Sequence, residues 1–394
     1  MKKIIFVFLL VFCVSSIFSM DKEELLKLRR DFISAGIDVK LMILRSISQS
    51  EDEALIPVYK DAVEYVKNSY DILKNDPRLL NIGIISVTKL GELNEIKSSG
   101  SIRYLFSTVE NEDFQIACLK SLSRLIQQDS AFTDYLNSLY EAGLSDLISG
   151  KAFSVNLLSV YAEVLGNFAD PSSFNILIKT LFYPVSDNLK DTVKTALNNI
   201  SFNYFDEILA KTGEKNIQYI WTLYLLAKEN KRLDSTELGR ISELIVDYGL
   251  KNLQDADFKS AENLIEAALP VLSELKWSKA SPQVNKFFYY AQGLRKTPRK
   301  TRASGTELLI SIIDCMGNLG TIECSQNLSI FLGVLNSETE KTKQYDEPLV
   351  LSVITALRKL GDKTAFDYLL YVEYLNYSKT VKQASRNAIE ELKW

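Results

Sequence analysis

The sequence predicts an all-α protein built as an α-solenoid, in which antiparallel helix pairs stack in a row. Three observations support this prediction. Apolar residues follow helical spacing almost without a break after residue 21, and alternating strand patterns are scarce. The loops between helical segments are short, as in residues 97–101 and 169–173. A pattern that ends one helix and starts the next recurs along the chain, as it does in repeat proteins.

The first nineteen residues have the composition of a secretory signal peptide. Lys2 and Lys3 precede an apolar run over residues 4–14, which SSIFS follows at 15–19, with a small residue, Ser19, at a plausible cleavage site. We expect cleavage near Ser19 and an exported protein, located in the periplasm of a bacterium. A retained membrane anchor and a lipoprotein modified at Cys13 stay open as alternatives, although the residue before Cys13 is not small.

Composition restricts the chemistry that the mature chain can carry. Loss of Lys2 and Lys3 leaves 44 basic residues against 50 acidic ones, a net charge of −6, which opposes binding to nucleic acid. The sequence contains no histidine, which excludes Ser-His-Asp and Cys-His catalysis and histidine-ligated zinc or haem. We therefore expect no cofactor. Because no later segment has eighteen uninterrupted apolar residues, we also expect no transmembrane span in the mature chain.

Three cysteines follow the predicted signal peptide, namely Cys118, Cys315 and Cys324. This odd and sparse set is not a disulfide framework. Cys118 and Cys315 fall on apolar positions of the helical pattern, which favours buried thiols. A bridge between Cys315 and Cys324 stays open as an alternative.

The segment VITALRKLGDKTAFDYLL, residues 353–370, gives the repeat its template. Val353, Leu357 and Leu360 lie at i, i+4 and i+7, on one face of a helix, and we expect that face to be buried. Ala356 is small, as expected where two helix backbones approach closely.

The second half of the template turns the chain and starts the next helix. Gly361 is expected to adopt the left-handed conformation that ends a helix without steric cost. Asp362 or Thr364 can then cap the next helix. Phe366, Leu369 and Leu370 are expected on the buried face of that second helix. The template thus predicts one helix, a short turn and a second helix that folds back.

The same helix-ending pattern occurs upstream. Clear copies end in Leu90–Gly91, Phe168–Ala169 and Leu319–Gly320, and weaker copies place a residue equivalent to Leu360 at Leu125, Ile200, Leu226, Leu272 and Leu392. The nine positions span 302 residues in eight steps, a mean of about 38 residues for each repeat.

These repeats resemble HEAT repeats, especially the short variety that also occurs in phycobilin lyases. The resemblance rests on LKDTVKTAL at residues 189–197, VKQASRNAI at 381–389 and ALRKLGD at 356–362. It implies a right-handed, HEAT/armadillo-like superhelix over residues 79–394, preceded by an N-terminal helical cap at 20–78. It implies no lyase activity, because only the repeat pattern matches. An irregular all-α bundle is the competing interpretation.

The strongest local charge signal is RKTPRKTR, which we call the basic segment. Its five basic residues are candidates for binding an anionic ligand or partner: Arg295, Lys296, Arg299, Lys300 and Arg302. The alternative is a solvated loop between repeats, over residues 296–305, that Pro298 prevents from forming helix. A second candidate is the tyrosine-rich segment 368–378, whose rings either face a partner or cover the edge of a terminal repeat.

The predicted function is binding without catalysis. We expect an exported scaffold that presents its solenoid surface to a protein partner of the cell envelope. Two alternatives remain. One is peripheral binding of anionic lipid or cell-wall polymer through the basic segment, and the other is a small-ligand protein or enzyme that uses carboxylates, lysine or tyrosine in the solenoid groove.

Overall fold

The computed structural model describes residues 21–74, 76–126, 129–214, 216–255, 258–296 and 302–393. The described residues form α-helices joined by turns and short 3₁₀ segments, and their one pairing of extended backbone is an isolated bridge between Asp362 and Lys393. The predicted all-α class is therefore confirmed. The predicted signal peptide lies outside the described residues.

The chain divides into two compact units, Met1–Phe202 and Asn203–Trp394. This division does not test the predicted boundary between a cap at 20–78 and repeats at 79–394, which stays a prediction. The helices of the first unit are α1 (Lys22–Ser34), α2 (Ile37–Ile47), α3 (Ile56–Leu73), α4 (Pro77–Glu92), α5 (Ser99–Thr108), α6 (Glu112–Leu125), α7 (Ser130–Ile148), α8 (Val155–Phe168), α9 (Phe174–Lys179) and α10 (Asp187–Asn199).

The second unit contains ten further helices in its described residues. They are α11 (Tyr204–Lys211), α12 (Ile217–Glu229), α13 (Ser235–Asn252), α14 (Phe258–Glu274), α15 (Ser281–Lys296), α16 (Arg302–Leu319), α17 (Ile322–Thr342), α18 (Glu347–Leu360), α19 (Phe366–Tyr371) and α20 (Lys379–Glu390).

Within each unit the helices pack as consecutive pairs. Each odd-numbered helix contacts the even-numbered helix that follows it, from α1 with α2 to α9 with α10 and from α11 with α12 to α19 with α20. Each even-numbered helix also contacts the next even-numbered helix of its unit, and the odd-numbered helices contact one another in the same way. In each unit we call these two sets the even layer and the odd layer, and the same names cover the corresponding helices of both units.

Several hydrogen bonds between neighbouring pairs join residues that are about one predicted repeat apart. Tyr289 bonds Asn327, 38 residues further along the chain. Tyr140 bonds Thr180 and Ser281 bonds Thr321, each 40 residues further along. These separations agree with the mean of about 38 residues that the sequence predicts.

The helix starts follow from short polar side chains that satisfy free backbone N–H groups. Asp129, Ser154 and Asp346 each accept a hydrogen bond from the N–H three residues later, at the starts of α7, α8 and α18. The cap of α13 is reciprocal, because Asp234 and Glu237 each accept from the other's backbone.

One turn type joins an even helix to the next odd helix at several places. A residue with positive φ ends the helix at Asn94, Ala169, Lys276, Gly320 and Gly361. After the last of these, Asp362 accepts a hydrogen bond of 2.8 Å from the N–H of Thr364, and after Ala169, Asp170 does the same for Ser172 at 2.9 Å. The left-handed turn predicted at Gly361 is confirmed, and so is the capping role of Asp362.

The sequence interpretation is wrong about Gly91. This glycine lies inside α4, which continues to Glu92, and the left-handed residue is Asn94. Gly91 is required for another reason, because a Cβ atom there would lie 2.8 Å from Cα of Ser121 in α6. Gly166 and Gly317 make the same close approach, to Ala196 and to Ala356. Leu-Gly at 90–91 therefore marks a helix contact and not a turn.

These close approaches confirm the predicted role of the small residue. Ser121, Ala196 and Ala356 each precede a fully buried leucine, at Leu122, Leu197 and Leu357. Each receives a glycine of the preceding even helix at a distance that leaves no room for a side chain. Three contacts of the even layer, α4 with α6, α8 with α10 and α16 with α18, thus bring helix backbones directly together.

The fully buried face of the template helix ends one turn earlier than expected. Val353 and Leu357 are fully buried, but Leu360 is half-buried, as is Phe168. Both residues stand at the last position of their helix, directly before the turn. Leu90 and Leu319 are buried, whereas Leu370, which was expected to be buried, is exposed.

Candidate functional site

The basic segment is only partly described. Arg295 lies in α15, where its guanidinium donates a 2.7 Å hydrogen bond to Glu338 of α17. Its charge is therefore neutralised within the fold. Arg299 and Lys300 lie outside the described residues, and of Lys296 and Arg302 only the backbone is described. Because α16 already begins at Arg302, the predicted loop 296–305 is shorter than expected, and the anion site stays a prediction.

The tyrosine-rich segment 368–378 serves two purposes. Tyr377 is buried and donates a hydrogen bond to Asn336, and Tyr368 packs against Gly333 of α17. Tyr371 and Tyr374 are exposed, with 76% of Tyr374 accessible. Half of these rings thus complete the core of the last repeats, and the other half form surface.

Exposed aromatic residues are confined to one layer. In the part of the chain that the structure describes, all of them lie on odd helices or in the turns directly after those helices: Tyr104, Tyr135, Phe182, Tyr183, Tyr289, Tyr371 and Tyr374. Solvent-facing positions of the even helices are mostly charged or small polar residues, such as Glu163 in α8 and Lys194 in α10. Because aromatic side chains are enriched in protein interfaces, the odd layer is the candidate binding surface.

In the first unit this surface runs across α3, α5 and α7. Tyr104 of α5 is 49% exposed, and the ammonium group of Lys67 in α3 lies 5.3 Å from the centre of its ring. Tyr135 of α7 is 41% exposed, and its ring lies nearly perpendicular to that of Phe106 of α5, with centroids 6.3 Å apart. We call this region the tyrosine surface.

Helical spacing determines which side chains of α7 belong to the tyrosine surface. Asp134, Ser138 and Glu141 share one exposed face at i, i+4 and i+7, and Tyr135 stands at its edge. The opposite face is buried and includes Tyr140, whose hydroxyl shares a 2.7 Å hydrogen bond with Thr180. Burial raises the pKa of Tyr140 to about 12. One helix therefore carries a structural tyrosine and an exposed tyrosine on opposite sides.

The charges of the tyrosine surface are unbalanced. Helices α3, α5, α7 and α9 carry four basic and six acidic residues. Every basic residue among them pairs with a carboxylate: Lys60 with Glu95, Lys67 with Glu64, Arg103 with Asp129 and Lys179 with Glu141. Two exposed acids have no salt bridge to a described residue, namely Asp71 in α3 and Asp134 in α7. The surplus charge on these helices is negative.

The second unit has an aromatic surface of its own, on α15, α17 and α19. Tyr289 donates a 2.6 Å hydrogen bond to Asn327, whose amide group donates to Asn285. Tyr371 donates a 3.0 Å hydrogen bond to Glu340. These hydroxyl groups are therefore oriented by neighbouring side chains, while the rings stay accessible.

A cluster of carboxylates in α14 bears on the enzyme alternative. Glu262 is only 4% exposed and accepts hydrogen bonds from Tyr290, at 2.7 Å, and from Lys259, at 3.2 Å. One turn later, burial raises the pKa of Glu266, Lys259 opposes that shift and the charge of Glu262 adds to it. Since Glu262 already has two donors, this cluster is satisfied by the protein's own residues.

The remaining candidate groups are structural. Cys118, Cys315 and Cys324 are buried free thiols, so the alternative of a Cys315–Cys324 bridge is wrong for this structure. Burial raises the pKa of Cys118 and of Cys315, which makes both poor nucleophiles. Among the described residues, no three His, Cys, Asp or Glu side chains are grouped to hold a metal ion. None of the described helices has the length and apolar character needed to cross a membrane.

The comparisons with known proteins identify no family for this chain. No protein-family model matches the chain, and no curated protein matches it. Solved structures do match, and one of them is the crystal structure of SYS-1, with 12% sequence identity and a TM-score of 0.30. That match covers 95% of this chain and 73% of the SYS-1 chain. At this TM-score it supports no conclusion about fold family or function.

Sequence reasoning did not single out Tyr104 or Tyr135. Their surroundings, in IRYLFS and FTDYLN, have no unusual composition. The sequence contained only a weak signal for an exposed Tyr135. On α7 the apolar residues Phe132, Leu136 and Tyr140 share one helix face, and Tyr135 and Ser138 lie outside that face.

Proposed function

We propose that the chain is an exported binding protein that presents the odd layer of a HEAT-like α-solenoid to a protein partner of the cell envelope. In this proposal each unit is a right-handed superhelix of helix pairs, and the predicted signal peptide directs the chain to the periplasm. The observation that carries the proposal is the confinement of the exposed aromatic side chains, among the described residues, to the odd layer.

The division of labour between the layers supports this proposal. In the even layer, glycine against Ser121, Ala196 and Ala356 brings helix backbones into contact. That packing gives the row its rigidity, since each pair buries its apolar faces on its neighbours. The odd layer can then expose rings such as Tyr104 and Tyr135 without loss of the core. Rigid elements that present aromatic side chains are a common basis of specific binding.

The alternative of anionic lipid or cell-wall polymer gains no support from Arg295, because Glu338 neutralises it. The enzyme alternative gains none from Glu262, because its carboxylate is occupied by Tyr290 and Lys259. The protein partner is therefore the proposal that the described residues favour.

Site-specific photo-cross-linking in cells tests this proposal. A photoreactive phenylalanine replaces Tyr104 or Tyr135 in the odd layer, and Glu163 or Lys194 in the even layer serves as the matched control. We expect the odd-layer positions to capture a defined protein and the even-layer positions to capture it much less. No capture above background, or equal capture from both layers, would contradict the proposal.

A further inference from the structure

The tyrosine surface combines two features that together select one kind of partner. Its rings are accessible, and the charges of its helices that have no salt bridge to a described residue are both acidic. The cations of these helices are each occupied by a carboxylate, as with Lys67 and Glu64. A ligand that docks there therefore meets aromatic faces and available carboxylates.

The two available carboxylates lie toward the same end of α5. Asp134 directly precedes Tyr135 on α7. Asp71 stands in the last turn of α3, beside Lys74, which pairs with Glu110 just beyond the end of α5. Tyr135 contacts Phe106, which is also in the last turn of α5. The ring of Tyr135 and both carboxylates thus lie at the level of the end of α5.

One lysine near this surface has no salt bridge to a described residue, but it lies elsewhere. Lys97 belongs to the turn before α5, so the whole length of that helix separates it from the end at which Tyr135 lies. The exposed salt bridge between Lys179 and Glu141 contributes little to the stability of the fold, because solvent screens both charges. Arg103, which lies over the neighbouring ring of Phe132, pairs with Asp129, so the charge beside Tyr135 that has no salt bridge to a described residue is that of Asp134.

The chain itself shows that one of these rings, Tyr104, accepts a cation. The ammonium group of Lys67 lies over the ring of Tyr104, in the geometry of a cation–π contact. Tyr135 is exposed to a similar extent, and no described residue places a cation over its ring. The second ring therefore offers the same contact to a partner.

We infer that the tyrosine surface binds a basic, arginine- or lysine-containing segment of the partner protein, with Tyr135 and Asp134 as its centre and Tyr104 and Asp71 at its edge. A guanidinium group can stack on an aromatic face and donate to a carboxylate at the same time. Complementary charge of this kind also directs the encounter between the two proteins. This inference rests on the proposed function, since it names the chemistry of the proposed partner.

A peptide-binding measurement with the purified mature chain tests the inference. The probe is a fluorescein-labelled peptide of about twelve residues that alternates arginine and serine. Two comparison peptides replace every arginine with glutamine or with glutamate. We expect fluorescence anisotropy to show binding of the arginine peptide alone, and we expect that binding to weaken as salt is added.

Matched variants separate this surface from the general negative charge of the protein. The double variant Asp71→Asn, Asp134→Asn should weaken binding at least about fivefold. The control double variant Asp113→Asn, Glu163→Gln removes the same charge from exposed positions of the even layer and should change binding less than about twofold. Tyr135→Ala should weaken binding, and Tyr135→Phe should keep it, because the ring and not the hydroxyl faces the cation.

Equal loss in the two double variants, or binding of the glutamate peptide as tight as that of the arginine peptide, would overturn the inference. Absence of binding to the arginine peptide would also overturn it. The outcome is distinct from that of the photo-cross-linking experiment. If Tyr104 and Tyr135 capture a partner through a segment without Lys or Arg, the inference fails and the proposed function stands. If they capture nothing, the proposed function fails.

Discussion

The even layer and the odd layer of this protein are built from the same helix pairs but by different chemistry. Neighbouring even helices meet through glycine and a small residue, as in Gly166 against Ala196 and Gly317 against Ala356. Neighbouring odd helices meet through polar and aromatic side chains, such as the hydrogen bonds from Tyr289 to Asn327 and between Tyr140 and Thr180. The backbone contacts between neighbouring helices therefore lie in the even layer, whereas the exposed aromatic rings lie in the odd layer.

The largest expected effect is on the core of the even layer. Leu357 is fully buried in α18, so Leu357→Ala should lower the free energy of unfolding by about 2–5 kcal/mol. Leu360→Ala, only one turn away, should cost about half as much or less, because Leu360 is half-buried. Chemical denaturation of both variants measures the difference. Equal losses would show that the buried face is assigned incorrectly.

The next effect concerns the backbone contact between even helices. In Gly166→Ala the new Cβ atom would lie 2.6 Å from Cα of Ala196, so α8 and α10 must separate. We expect a loss of about 1–3 kcal/mol, measured by thermal and chemical unfolding.

Gly100→Ala is the control for this variant. Gly100 lies in α5, where nothing is within 4 Å of the new Cβ atom. The change should be neutral or slightly stabilising, because alanine favours helix over glycine. A loss at Gly100 as large as that at Gly166 would show that close packing is not the cause.

A smaller effect is expected at the turns that join the layers. Ala169 has φ of 55°, a left-handed conformation that costs a residue with a Cβ atom about 1 kcal/mol. Ala169→Gly should therefore stabilise the fold by up to about 1 kcal/mol, and Gly361→Ala, at φ of 65°, should destabilise it by a similar amount. Opposite shifts in melting temperature would confirm that both positions are turn residues. Shifts of the same sign would contradict it.

The smallest effect on stability is expected in the odd layer. Tyr104→Ala combined with Tyr135→Ala removes two exposed rings and should change the free energy of unfolding by about 0.5–1 kcal/mol in total, mainly through the contact of Tyr135 with Phe106. Circular dichroism melting measures this. A loss as large as that of Leu357→Ala would mean that Tyr104 and Tyr135 are core residues and not surface residues.

The positions at which the even helices end could largely be predicted from the sequence. The nine predicted helix ends, from Leu90 to Leu392, each fall within one turn of the end of an even helix. At Leu90 and Leu272 the predicted register is one turn early, since Asn94 and Lys276 are the left-handed residues. Glycine signals either a turn or a close approach, and the sequence alone does not distinguish the two.

The contacts and exposed residues of the odd layer could not be predicted in the same way. Its contacts use residues of many types, including Asn285, Asn327 and Asn336, which leave no apolar repeat pattern. Whether a tyrosine such as Tyr135 is exposed or buried depends on which neighbouring helix covers it, and that contact joins residues about one repeat apart. The candidate site therefore became visible only with the packing of the helix pairs.

The central claim is that binding belongs to the odd layer and not to the even layer. The most direct measurement compares how much of the partner co-purifies with two variants that cells express at equal abundance. One variant is Tyr104→Ala, Tyr135→Ala, and the other is Glu163→Ala, Lys194→Ala. We expect the tyrosine variant to lose most of the partner and the even-layer variant to keep it. Full recovery with the tyrosine variant, or loss with the even-layer variant alone, would show that binding does not belong to the odd layer.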